Sequence, residues 1–175
     1  MMAERARRHG IIVLGGVIEA DGSTLYNSMP VYGRDGELLV NYRKIHLSRV
    51  LGITSESDVL TAGDQPTTFR GSPPSELLVG MLCCFDLRFR GLLSQYGHAG
   101  PHGPCDVLCA PSAFLDTTGK DHWDLLLRRA ALDGQCFVVA PNVAYDPEDK
   151  LPLFGRSAVV DAWGNIVAQC EAAGD

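Results

Sequence analysis

The order in which the apolar runs of this chain change character constrains its fold more than any other feature. Leu77 to Cys84 is short and apolar, as a buried strand is, and Leu87 to Tyr96 then spaces its apolar residues helically up to Gly97. The same change recurs downstream, past a Gly, His and Pro excursion that ends at Pro104. Asp106 to Pro111 is strand-like, Asp121 to Leu132 is an amphipathic helix ending before Gly134, and Gln135 to Pro141 is apolar again. Strands alternating with helices bury their faces against those helices, so an α/β layered domain is predicted.

The flanking segments add to this picture. Met1 to His9 is a helical candidate stopped by Gly10, and Ile11 to Ile18 reads as one buried strand. Thr24 to Gly33 and Glu37 to Lys44 flank Arg34-Asp35-Gly36, whose Asp-Gly supplies the positive φ of a tight hairpin. Arg156 to Asp161 and Asn165 to Cys170 form a second hairpin around Ala162-Trp163-Gly164. From Ile45 to Pro66 periodicity is lost, giving a long loop directly after Lys44, where functional residues tend to gather. With 175 residues, 46% hydrophobic, residues 1–175 are read as a single domain.

Charge and cysteine usage narrow the function. The net charge is −6 and no basic run extends beyond Arg5, Arg7 and Arg8, which argues against a nucleic-acid or acidic-membrane partner. The longest apolar runs fall far short of the ~20 residues of a membrane span, and no signal-peptide pattern precedes the first. Six dispersed cysteines, several inside strand-like runs, look like reduced thiols. A soluble cytoplasmic protein is therefore expected, with a mitochondrial location also compatible.

Two residues stand where chemistry is feasible. Cys84 ends an apolar strand where a helix is expected to begin, near backbone N–H groups that favour a thiolate and an oxyanion; the alternative is an inert core cysteine. Lys44 lies where a strand enters the long loop and is either a charge-stabilising amine or a solvated strand end. A rival site is His98, His102, Cys105 and Cys109, four soft-metal ligands in a short span. Against it, Cys109 falls within an apolar strand and the spacing matches no common zinc motif.

Ordered motifs then decide among these readings. Tyr42-Arg43-Lys44-Ile45-His46-Leu47, Glu56-Ser57 with Leu60 and Gly63-Asp64, and Cys84-Phe85-Asp86-Leu87-Arg88-Phe89 are followed by Pro111-Ser112-Ala113-Phe114, Thr117-Thr118-Gly119 and His122-Trp123. Gly155-Arg156-Ser157 through Gly164 completes the series. Together these resemble the nitrilase superfamily of carbon-nitrogen hydrolases. The Thr-Thr-Gly, with Ile53-Thr54 before Glu56, leans toward its omega-amidase branch over the deaminated-glutathione amidases.

The resemblance implies a four-layer α-β-β-α sandwich, a homodimer or larger homo-oligomer, no cofactor, no metal, and a small amide as substrate. It implies Cys84 as nucleophile, Lys44 and the Phe85 N–H as oxyanion partners, and Glu56 as the group orienting Lys44 or the base. Arg88 and Thr118 would bind the far carboxylate of an omega-amide such as a 2-oxo acid monoamide. In the family a general-base glutamate follows a first strand that has no counterpart here, and a last strand is likewise expected to be missing. Glu4 and Glu19 lie in the wrong segments to replace the base. Two expectations follow: an amidase cut short at both ends, or a catalytically impaired form that acts as a binding or dimerisation module.

Overall fold

The computed structural model describes residues 1–49, 55–73, 76–146, 148 and 151–171. Its first sheet contains β1 (Val13–Leu14), β2 (Val17–Asp21), β3 (Thr24–Tyr32) and β4 (Leu38–Arg43). Strand β3 is its axis, pairing antiparallel with β1 and β2 on one side and β4 on the other. The single buried strand read over Ile11 to Ile18 is thus two strands, and β2 is mostly exposed. The break falls at Gly15-Gly16, yet the register to β3 is the same on either side, from Leu14–Val31 to Val17–Ser28. That register sets Pro30, which has no N–H for the ladder, opposite the interruption.

Turn chemistry explains the returns of the chain. The Asp-Gly hairpin forms as predicted: Gly36 sits at φ 81° and its N–H donates to the Gly33 carbonyl at 2.8 Å. A second hairpin, missed in the sequence, joins β2 to β3 through Gly22-Ser23, with Gly22 at φ 61° in the first central position.

The second sheet has the order β10-β9-β8-β7-β6-β5, formed from β5 (Thr68–Arg70), β6 (Leu78–Met81), β7 (Val107–Cys109), β8 (Phe137–Ala140), β9 (Ala158–Val160) and β10 (Ile166–Gln169). Strands β6, β7 and β8 are parallel and the outer pairings antiparallel.

Among the described residues three α-helices cover the sheets: α1 (Met2–His9), α2 (Arg90–Leu93) and α3 (Asp116–Gly134). Helix α3 begins five residues before the predicted start. It buries Gly119, Trp123, Leu126, Leu127, Ala130, Ala131 and Gly134, the three-four spacing of one helical face. A single helix over Leu87 to Tyr96 does not form. A five-residue 3-10 turn (Cys84–Arg88) and the short α2 replace it, separated by extended backbone at Phe89 (φ −104°, ψ 100°). Contacts made by Asp86 to Tyr42 of β4 and to His46 in the loop beyond it hold that turn and override the helical spacing.

Two apolar cores join the layers. Met29, Val31 and Tyr42 of the first sheet meet Phe69, Met81 and Cys83 on the second. On the opposite face of the second sheet, Leu108, Val138, Ala140 and Val160 pack with α3. Helix α1, with Ala6 buried, packs on the first sheet. The layers therefore run α1, sheet, sheet, α3, the architecture expected from the resemblance. The parallel strands align their C-terminal ends, so Cys84 follows β6 and Ala113 follows β7 along one edge, where ligands of α/β sheets characteristically bind.

Candidate active site

Lys44 is pinned by its backbone before its side chain does anything. Its N–H donates to the Asn27 carbonyl at 2.8 Å, and its carbonyl accepts the Gly63 N–H at 2.9 Å. Gly63 approaches so closely that a Cβ there would run into the Arg43 carbonyl. The side chain is 2% exposed, and Nζ donates to Glu56 Oε2 at 2.6 Å.

Glu56, in the 3-10 turn Glu56–Asp58, is itself held by several donors. Besides Lys44 it accepts the Ser48 N–H at 2.6 Å, the Ser48 hydroxyl at 2.9 Å and Asn27 Nδ2 at 3.0 Å. Burial pushes the Glu56 carboxyl up, but Lys44 and Ser48 outweigh it, so the group is held below its ordinary value. Burial opposes the Lys44 charge, yet the Cys83 and Cys84 sulfurs, once ionised, and the Glu56 carboxylate together raise it. The pair is an ion pair at neutral pH.

Cys84 opens the turn after β6 at φ 50°, a left-handed conformation uncommon for a side chain with a Cβ. Its N–H donates to the Pro111 carbonyl at 3.0 Å. Burial pushes the thiol up, while the Lys44 charge and the Ala113 N–H pull it down, leaving it above its ordinary value. The helix end expected to favour the thiolate is only a five-residue turn, so Lys44 and Ala113 take that part. The N–H of Phe85, second in the turn, belongs to the leading groups that a helical turn leaves without an internal partner.

Cys84 opens into a cavity of about 510 Å³ bordered by Arg49, Phe85, Arg88, Thr118 and His122. Arg88 lies between the Phe85 and Phe114 rings, 5.8 and 5.7 Å from their centres, and its Nη2 is 3.2 Å from His122 Nδ1. Thr118 also reaches back to the Leu115 carbonyl at 3.4 Å, a contact at the start of α3. Of the six sequence-derived site residues, Cys84, Phe85, Arg88 and Thr118 therefore line the cavity, while Lys44 and Glu56 form the ion pair whose cation acts on Cys84.

Residues 1–174 match the carbon-nitrogen hydrolase family. The chain belongs to that family. Omega-amidase NIT2 of Mus musculus is 39% identical over 173 residues, covering 96% of this chain and 60% of that protein, and the Homo sapiens protein gives the same figures. Nit3 of Saccharomyces cerevisiae, a member of branch 10 of the nitrilase superfamily, superposes with a TM-score of 0.84 at 31% identity, over 96% of this chain and 58% of that one. The chain thus spans about three-fifths of the length of these relatives.

The other residues weighed in the sequence lie apart. Glu19 on β2 is bound by Arg43, Ser28 and Asn41, and the Arg43 hydrogen bond foremost holds its carboxyl at about 2, far too acidic for a neutral-pH base. Glu4 is exposed on α1. Cys109 is buried in β7 and the Cys105 thiol meets the His102 carbonyl at 3.5 Å; among the described residues no three His, Cys, Asp or Glu side chains converge as metal ligands. Ile53-Thr54 lies outside the described residues. Sequence reading assigned no role to Asn27, Ser48, Ala113, Asp86 or His122. Of these Asp86, Ala113 and His122 stand within the ordered motifs, whereas Asn27 and Ser48 lie outside them. No described helix is long and apolar enough to cross a membrane.

Proposed function

We propose that this chain carries an omega-amidase-type site in which Cys84 attacks the terminal amide of a small carboxylate-bearing substrate. The thiolate adds to the carbonyl, the tetrahedral intermediate expels ammonia, and water cleaves the resulting thioester to the acid. Lys44 and the Phe85 N–H hold the oxyanion of both tetrahedral species. Glu56 orients Lys44: the ion pair and Ser48 hold its carboxyl below its ordinary value, so it serves as an anchor rather than a neutral-pH proton acceptor. Arg88 and Thr118 take the far carboxylate, for which the planar guanidinium fork is suited.

One observation carries this reading: a buried ammonium, fixed by an ion pair, acts on a cysteine held in a left-handed turn at the C-terminal edge of parallel strands. The similarity to omega-amidases supports the substrate class. A second reading, a chain that binds its ligand but turns over poorly, rests on the cavity wall, which among the described residues contains no carboxylate to accept the thiol proton. General-base catalysis contributes about 10²- to 10⁴-fold, so this difference is measurable. Purified chain is given a 2-oxo acid monoamide and ammonia is followed. Release that disappears in Cys84→Ala supports the amidase; no release from either form leaves the binding module.

A further inference from the structure

We propose that Asp86 is a positioning residue whose buried carboxylate clamps the strand end carrying Lys44 to the turn carrying Cys84. The proposal rests on the amidase reading of those two residues. Asp86 lies two positions after Cys84, and its partners Tyr42 and His46 lie two before and two after Lys44. Oδ2 accepts the Tyr42 hydroxyl at 2.6 Å and the Cys83 N–H at 2.9 Å. Oδ1 accepts the His46 N–H at 2.9 Å and faces His46 Nδ1 at 2.8 Å. The carboxylate is fully buried, and the His46 ring is stacked on Phe89 with centroids 3.6 Å apart, which fixes its orientation.

A turn-capping role alone does not account for this arrangement. Only the Cys83 N–H belongs to the turn; the other three contacts come from residues 40 and 44 positions away. Charge alone also points the wrong way, because a carboxylate near Cys84 opposes its thiolate. The groups facing Cys84 are Lys44, Glu56, Asp86 and Cys83, with Arg49, Arg88 and His122 across the cavity. Among these, Lys44 stabilises the thiolate from within the core, and its distance from the sulfur is set by the clamp.

The two explanations predict opposite signs in one experiment. Alkylation of Cys84 by iodoacetamide is followed between about pH 6 and 10 on the whole chain, the site being resolved from Cys83 by peptide fragmentation. With Asp86→Asn, loss of position slows neutral-pH alkylation about tenfold and moves the profile up by about one unit. Loss of a bare negative charge speeds it and moves the profile down. Lys44→Met reproduces the slowing, and adding Asp86→Asn to it changes nothing further, because Asp86 acts through Lys44. Tyr42→Phe, which removes one bond and keeps the ring, shifts the profile in the same direction by less, and decides the matter should Asp86→Asn not fold. An unchanged or lowered profile in these variants, while Lys44→Met moves it, overturns the clamp alone. If Lys44→Met also leaves Cys84 unaffected, the clamp and the amidase reading fall together.

Discussion

Buried charge at single residues sets the behaviour of this molecule toward acid and base. Glu19 and Glu56 have folded-state values below the ordinary 4.5, about 2 for Glu19. Each therefore contributes stability that is present above 4.5 and lost as pH falls through the folded value. Lys44 is raised, so its contribution is lost only as pH rises through its folded value. The urea midpoint is expected to fall between about pH 4.5 and 2, and Glu19→Gln to flatten the lower part of that decline. Removing Lys44 itself is expected to destabilise more. Lys44→Ala leaves Glu56 half-buried without its cation and should cost about 3 kcal/mol in urea unfolding at pH 7.

Elements show where local pattern decides and where it is overruled. A glycine inside a helix is normally improved by alanine, by about 1 kcal/mol. Gly119 in α3 packs against the Phe154 ring, which a Cβ would strike, so Gly119→Ala should instead lower the thermal midpoint, by the equivalent of about 1–3 kcal/mol. The Asp-Gly hairpin and the period of α3 were legible because their causes lie within a few residues. The turn after Cys84 was not, because its geometry depends on Tyr42 and His46, more than 40 and about 40 positions away. The apolar run Ile11 to Ile18 was legible as extended chain but not as two strands of which β2 is mostly exposed, since exposure depends on what lies beside it. The site divides the same way. Cys84, Lys44, Glu56, Arg88 and Thr118 stand in motifs; Ala113 does too, but acts through a backbone N–H that its side chain does not advertise, and Ser48 and Asn27 are ordinary polar residues that folding brings to Glu56.

Across the whole molecule the two sheets overlap unevenly. The first sheet covers the second around β5 and β6, through Phe69 and Met81. Along β8 and β10 the face turned away from α3 leaves Phe137, Val139 and Val167 exposed. Adjacent residues of β8 should therefore respond differently: Val138→Ala, in the α3 core, is expected to cost about 2 kcal/mol, and Val139→Ala within ~0.5 kcal/mol of nothing, by urea unfolding. At this scale the central claim is that the C-terminal edge of the parallel strands presents one nucleophile, Cys84. Mixing the chain with a 2-oxo acid monoamide, quenching in acid and mapping its peptides by mass tests this directly. The expected result is the acyl mass on Cys84, absent in Lys44→Met; acyl on Cys83 or another residue, or none while ammonia is released, would contradict it.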